Sequence, residues 1–381
     1  MSSTVIKRVT DSKSLDTFIQ FHYDLYRGNP YDAPNLYMDE KNTLSKDKNA
    51  AFDFCEAEYF LAYKDGKVVG RVAAIINNRA NETWNCKAVR FGWIDFIDDI
   101  EVSRALMDAV EKWGKERGMN MIQGPLGFTD MDPEGMLTFG FDQLGTMATI
   151  YNYDYYPKHM EQLGGFVKDN DYVEFKIIVP KTIPEKYGKI ADMIKTRYNL
   201  HVKKLTKDDI YKRGYGRKIF DVINKTFTGL YGYSQMTERQ MDQYVDMYFP
   251  MADLSLITVI EDRNDNNNVI AVGITIPSLS KAVQKCRNGR LFPFGWYHVL
   301  RALKFHKTKG VDLLLIGVLP EYRQKGANAL IFNDIIPRCQ AYGFEWAETQ
   351  VEMESNDKVQ SQWQYVEKNL HKRRRCYKKD I

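Results

Sequence analysis

Residues 311–318 are apolar but for Asp312 and Gly317, and the run stops at Leu319-Pro320. A near-continuous apolar run of this length reads as a strand buried on both faces, which requires helices on each side of a sheet. The pattern then changes to helical spacing over residues 327–342, closed by Gly343. A buried strand, a short basic turn (Arg323, Gln324, Lys325, Gly326) and a helix therefore follow one another with no linker.

The flanking sequence fits a mixed sheet. In the first half the spacing predicts a helix over 14–26 and a hairpin of 59–63 with 68–76 around Asp65-Gly66. A strand over 89–96, a helix over 102–117, a strand over 119–124, a helix over 155–163 and a strand over 172–179 follow. The second half repeats that order. Helices are expected over 208–226 and 238–248, and a hairpin of 254–261 with 269–276. The 311–318 strand and the 327–342 helix come next, then a strand over 344–354, a helix over 357–370 and a short strand over 374–378. The fold class is therefore α/β (α+β), in two lobes, each a mixed, mostly antiparallel sheet flanked by helices. At 381 residues the chain is long for one domain. The expected division is 1–180 and 181–381, with a linker near 180–187.

Charge is close to balance, with 54 Lys and Arg against 50 Asp and Glu, so the basic stripe of a nucleic-acid binder is not expected. The exception is His371-Lys372-Arg373-Arg374-Arg375. Five widely spaced cysteines without a Cys-x-x-Cys argue against a disulfide framework or zinc, and the six scattered histidines against any metal site. Asp130-x-Asp132-x-Glu134-Gly135 has a calcium-loop beginning, but its twelfth position is Phe141 rather than Glu. No stretch has the ~18–20 apolar residues of a membrane span, and the N-terminus lacks a signal core, so a cytoplasmic location is expected.

The chemistry concentrates at the strand–turn–helix. The first N–H groups of a helix lack internal partners and carry partial positive charge, so a phosphate or pyrophosphate suits them. Gly326 lets a ligand approach the backbone, and Arg323 and Lys325 add charge. The segment resembles motif A of the GNAT acyltransferase superfamily. Arg323-x-x-Gly326 fits its Arg-x-x-Gly pattern after a strand ending in Val318-Leu319-Pro320, while Asn328 stands where Gly or Ala is usual. The first half, with Gly124-Pro125, Gly140-Phe141-Asp142, Tyr151-Asn152 and Gly164-Gly165-Phe166, resembles bacterial tandem GNAT-like proteins, including GNAT-type ceramide synthases.

The resemblance implies an N-acyltransferase that moves an acyl group from acyl-CoA, acetyl-CoA or an acyl carrier protein to a small-molecule or lipid amine, such as a sphingoid base. The donor is expected on Gly317, Val318, Arg323, Gln324, Lys325, Gly326, Ala327 and Asn328, with Asn356 from the superfamily's later motif. Amides near Ile316 and Val318 would hold the oxyanion. Alternation over 347–354 puts Glu348, Gln350, Glu352 and Glu354 on one face, making Glu348 or Glu352 the candidate proton acceptor. Trp363 occupies the place where many members carry a thiolate-protonating Tyr, so Tyr365 is the remaining candidate.

The first lobe lacks the turn motif. Its Asp98, Asp99 and Glu101 at a helix start would repel a diphosphate, so one donor site is expected, in the second lobe. Tyr151, Asn152, Tyr155 and Tyr156 are expected to line an acceptor pocket. Residues 287–309 interleave aromatic and basic side chains. They suit packing on the domain, peripheral contact with an anionic membrane, or cover over a long acyl chain. The alternative function is a CoA- or lipid-binding module that keeps the fold without the chemistry. A Fem-like peptidyl transferase would dispense with the Arg323–Gly326 turn.

Overall fold

The computed structural model describes residues 3–381. In chain order the strands are β1 (Val5–Arg8), β2 (Cys55–Lys64), β3 (Lys67–Asn77), β4 (Ala88–Phe96), β5 (Met121–Gly124), β6 (Met136–Phe139), β7 (Val167–Ile178), β8 (Leu200–Lys203), β9 (Ile257–Asp262), β10 (Asn268–Pro277), β11 (Gly310–Val318), β12 (Trp346–Thr349), β13 (Glu352–Met353) and β14 (Lys368–Asp380). They form one sheet in the order β1-β2-β3-β4-β5-β14-β7-β12-β11-β10-β9-β8, with β6 on β14 and β13 on β7. The neighbours are antiparallel except β4 with β5 and β11 with β12.

Two features of this order position the site. First, the parallel pairs are short. β4 pairs with β5 only over Ala88–Arg90, and β11 with β12 only over Gly310–Leu313. Beyond those points each pair splays, leaving one edge of β4 and of β11 without a neighbouring strand. Second, the late strands are exchanged: β14 lies between β5 and β7, and β7 lies between β14 and β12.

Helices cover both faces. Tyr215–Phe227 buries Ile219, Phe220 and Ile223 against β10 and β11. Each such side chain contributes about 1.5–3 kcal/mol on full burial. Gly317 permits this contact, because a Cβ there would stand 2.7 Å from Thr226 Oγ1. In the first lobe, Ile100–Lys115 packs Val102, Leu106 and Val110 under β3 and β4.

Several expected elements differ. The segment near 180–187 is not a bare linker: the helix Glu185–Tyr198 starts directly after Pro184, whose missing N–H costs nothing at a helix start. The helix expected over 208–226 breaks into Lys207–Tyr211 and Tyr215–Phe227 around Gly214, which has φ 74°. The strand expected over 344–354 divides into β12 and β13, so its strict alternation is interrupted at Gln350 and Val351. Only Asp357–Gln360 and a 3₁₀ turn at Ser361–Trp363 stand where a helix over 357–370 was expected. From Lys368 the chain is strand instead, because its cations pair with acids across β7 and tertiary pairing overrides helix propensity.

Candidate active site

The turn after β11 is built as a brace. Leu319 N–H donates to Ile270 O, so by alternation the Val318 N–H faces away from β10, into the splay. Arg323 Nε donates to Val318 O (3.0 Å), and a second guanidinium nitrogen to Thr226 O (3.0 Å). Lys325 Nζ sits 4.1 Å above the Tyr322 ring, and Tyr322 itself donates to Asp262 (2.7 Å). Gly326 has φ 82°, the left-handed region that favours glycine, and a Cβ there would meet Ile190 at 3.1 Å.

The helix Asn328–Tyr342 then begins at Ala327 with no side-chain cap. The amides of Lys325 and Gly326 close tight turns on Tyr322 O and Arg323 O, and those of Ala329 and Leu330 on Gly326 O and Ala327 O. The expected cradle is therefore present as a turn, but part of its amide set is spent locally and the Arg323 guanidinium is held by carbonyls. Asn356 caps the Asp357–Gln360 helix by accepting from Val359 N–H.

The matching slot of the first lobe is filled by its own chain. Leu126 N–H donates to Phe91 O (2.9 Å), and the space a Gly92 side chain would need holds Leu126 O. At the following helix start Asp99 accepts from Glu101 N–H and pairs with Lys64 (2.7 Å), and Asp98 pairs with His159 (3.0 Å). By contrast Leu313, Leu314, Leu315 and Ile316 of β11 stay only half-buried.

The two candidate bases differ. Glu348 is 4% exposed in a polar cluster on the central strands, not on a solvated outer face. It pairs with Lys372, while Arg374 pairs with Glu174. Burial opposes its ionisation, but His371 and Lys372 hold the carboxyl below the ordinary range. Two carboxylates thus balance two cations. The neighbouring Asp312, 1% exposed, is pushed up to about 8 by burial and by Glu348. A carboxylate held this way is a weaker proton acceptor than an unpaired one. Glu174, Glu348 and His371 lie close enough to hold a cation, yet Lys372 and Arg374 already neutralise the two carboxylates.

Glu352 behaves oppositely. On β13, beyond the point where β12 leaves β11, its Oε1 accepts from Trp363 Nε1 (2.8 Å) and its buried Oε2 has no protein partner. Burial pushes this carboxyl up to about 7, against the weaker pull of Trp363 and Lys368. Tyr365 points elsewhere: its hydroxyl is held by Lys186 from the Glu185–Tyr198 helix.

The tyrosines expected to line an acceptor pocket are braces of the first lobe. Tyr151 donates to Phe141 O (3.0 Å), and Asn152 closes on the N–H and O of Leu137 (2.7 and 3.0 Å). Tyr155 donates to Phe96 O, and Tyr156 bonds Asp95 (3.2 Å) while stacking on Phe96. Their polar tips are engaged within the fold.

A group of acids stands against the second lobe. Asp130, Asp132 and Glu134 lie on the loop that fills the first lobe's slot. Met131 of that loop packs against the second lobe's buried core. Thr129 reaches Tyr244 (3.4 Å), and Arg90, which donates to Gly127 O (3.1 Å), also donates to Gly232 O (3.0 Å) in the loop after the Tyr215–Phe227 helix. Both Asp130 oxygens and one of Glu134 are shielded from water without a hydrogen-bond partner. Burial raises all three carboxyls, Asp132 to about 6, and Asp130 adds to the rise of Glu134. Three acids in five residues within the Gly-rich stretch are the sequence signal for this group.

No family model matches the chain. Protein YghO of Escherichia coli (strain K12) is 26% identical over 99% of this chain and 95% of its own length. A bacterial ceramide synthase of Caulobacter vibrioides (strain NA1000 / CB15N) is 25% identical over 81% of this chain and 79% of its own. Among solved structures, a tandem GNAT protein from the clavulanic acid biosynthesis pathway superposes with a TM-score of 0.59 at 8% identity, over 99% of this chain and 98% of that one. With its two splayed parallel pairs in one mixed sheet, the chain has the tandem GNAT fold.

Proposed function

We propose that the protein is an N-acyltransferase working from the splay between β11 and β12. The observation that carries this is an asymmetry. The second lobe's slot runs along a half-buried strand into a helix start without a side-chain cap, while the first lobe's slot is filled by its own chain. An acyl-CoA donor lays its diphosphate against residues 323–328 and its thioester along β11, where Val318 N–H meets the carbonyl oxygen. The carboxyls of residues 130–134, raised by burial and partly unpartnered, ionise on pairing with the ammonium of the acceptor. Glu352, oriented by Trp363, takes the proton from nitrogen. The ammonium first gives one proton to water; the neutral nitrogen bonds to the thioester carbon as Glu352 takes its second proton, the C–S bond breaks, and the leaving thiolate takes a proton from solvent to end as free thiol.

In this reading residues 181–381 hold the donor and residues 1–180 shape the acceptor side. The likeness to a protein named bacterial ceramide synthase supports a lipid amine, such as a sphingoid base, as acceptor. The carbonyl-bound Arg323 and the self-closed turn amides favour one second reading, a binding module without chemistry.

A thermal-shift series with CoA, followed by thiol release from acyl-CoAs with amines, separates the two. CoA at 100 times its dissociation constant adds about 2.7 kcal/mol of stability. Thiol release that requires an amine supports the transferase. Stabilisation without release supports the module, and no stabilisation removes the donor site from this turn.

A further inference from the structure

Between residues 281 and 309 the chain carries eight Lys and Arg and no Asp or Glu. The same segment exposes large apolar side chains: Phe292 at 79%, Phe294 at 76%, Phe305 at 61%, Tyr297 at 48% and Trp296 at 45%. Elsewhere among the described residues, exposed apolar side chains of this size are scattered singly, which is ordinary, whereas a contiguous patch marks an interaction surface.

Loose packing is not the cause. The helix Gly295–Leu303 buries Val299, Ala302 and Leu303 against Leu279, Val283 and Cys286. Gln284 donates to Pro30 O and Asp32 O (2.9 and 2.8 Å), and Arg290 lies 3.9 Å above the Tyr37 ring, so the segment is fastened to the first lobe as well. On the other side His306 stacks on Tyr342 and bonds Asp253 (2.8 Å). A rigid platform thus turns its buried face inward and holds its aromatics outward, ringed by the cations of Arg287, Arg301, Lys304 and Lys307.

We infer that this platform docks the protein on an anionic phospholipid surface. Aromatic rings settle at headgroup depth, and the cations meet lipid phosphates. The charge decides among occupants: a second copy would bring Arg287, Arg301, Lys304 and Lys307 against the same like charges, whereas an anionic bilayer complements them. No helix among the described residues is long and apolar enough to cross a membrane, so the contact is peripheral. The inference does not depend on the proposed acyl transfer.

The test is co-sedimentation of the full chain with vesicles of phosphatidylcholine alone and with about one-third phosphatidylglycerol. Phe292→Ser/Phe294→Ser/Trp296→Ser is the variant, with its thermal melt as the check on folding; Arg301→Gln/Lys304→Gln is the second. Expected is partitioning to the anionic vesicles only, weakened at high salt, and lowered about ten-fold or more by each variant at an unchanged melting temperature. Absence of sedimentation, or partitioning indifferent to both variants, overturns the inference. So does a concentration-dependent dimer that the aromatic variant abolishes without any vesicle binding, since the platform is then a self-contact.

Discussion

Burial gives Glu352 a titration near neutrality, and Trp363 fixes one of its oxygens. A base at this position works only when ionised, so acyl transfer should rise with pH to a plateau, with its midpoint near 7. Glu352→Gln should cost roughly 10²–10⁴-fold in rate and abolish that midpoint, as a pH–rate series would show. The folded carboxyl lies above its ordinary 4.5, so the group stabilises the fold most at low pH, and that contribution is lost as pH rises from 4.5 to about 7. Denaturant midpoints over the same range should therefore slope less in the Gln variant. Glu348 gives the contrast. Glu348→Gln leaves buried Lys372 only its longer contact with Glu174 (3.5 Å), a carboxylate that Arg374 also claims, so it should cost up to about 3–5 kcal/mol in unfolding measurements and leave the pH–rate midpoint in place.

The helix Asn328–Tyr342 begins uncapped, which makes its first turn the place to separate donor binding from folding. Asn328→Asp adds a negative charge where the helix dipole welcomes one, by about 0.3–1 kcal/mol. The same charge repels a diphosphate. CoA affinity by calorimetry should fall about ten-fold or more while the melting temperature holds or rises; unchanged affinity would move the donor elsewhere. Gly326→Glu is a poorer probe, because a side chain there presses on Ile190 and Ile194. At this scale the sequence was legible where periodicity is local. The hairpin of β2 and β3, the strand β11 and the Asn328–Tyr342 helix all stand where their spacing places them. It was misleading where partners are distant. The basic run at 371–375 looks like a solvated patch, yet Lys372 and Arg374 are each 1% exposed because their acids, Glu174 and Glu348, come from other strands. Tyr151, Asn152, Tyr155 and Tyr156 have the composition of a pocket, and only the positions of Phe96, Asp95 and Leu137 reveal them as braces.

Across the whole molecule one sheet joins what the element order divides into two. Residues 1–180 by themselves contain β5 and β7 but not the β14 strand that separates them. That fragment should therefore fail to give a cooperative melt, and a peptide of residues 368–380 supplied in trans should restore one. The intact chain should melt in one transition rather than two, by calorimetry.

The exchange of β14 into the earlier half has a consequence for biosynthesis. A ribosome delivers residues 1–180 long before residue 380, so the nascent front half must wait with a gap in its middle, exposing the edges of β5 and β7. Such edges attract other strands, and the interval is set by elongation, at roughly 5–20 residues per second. The chain is thus most vulnerable to mispairing, and most in need of chaperones, before its final strand emerges.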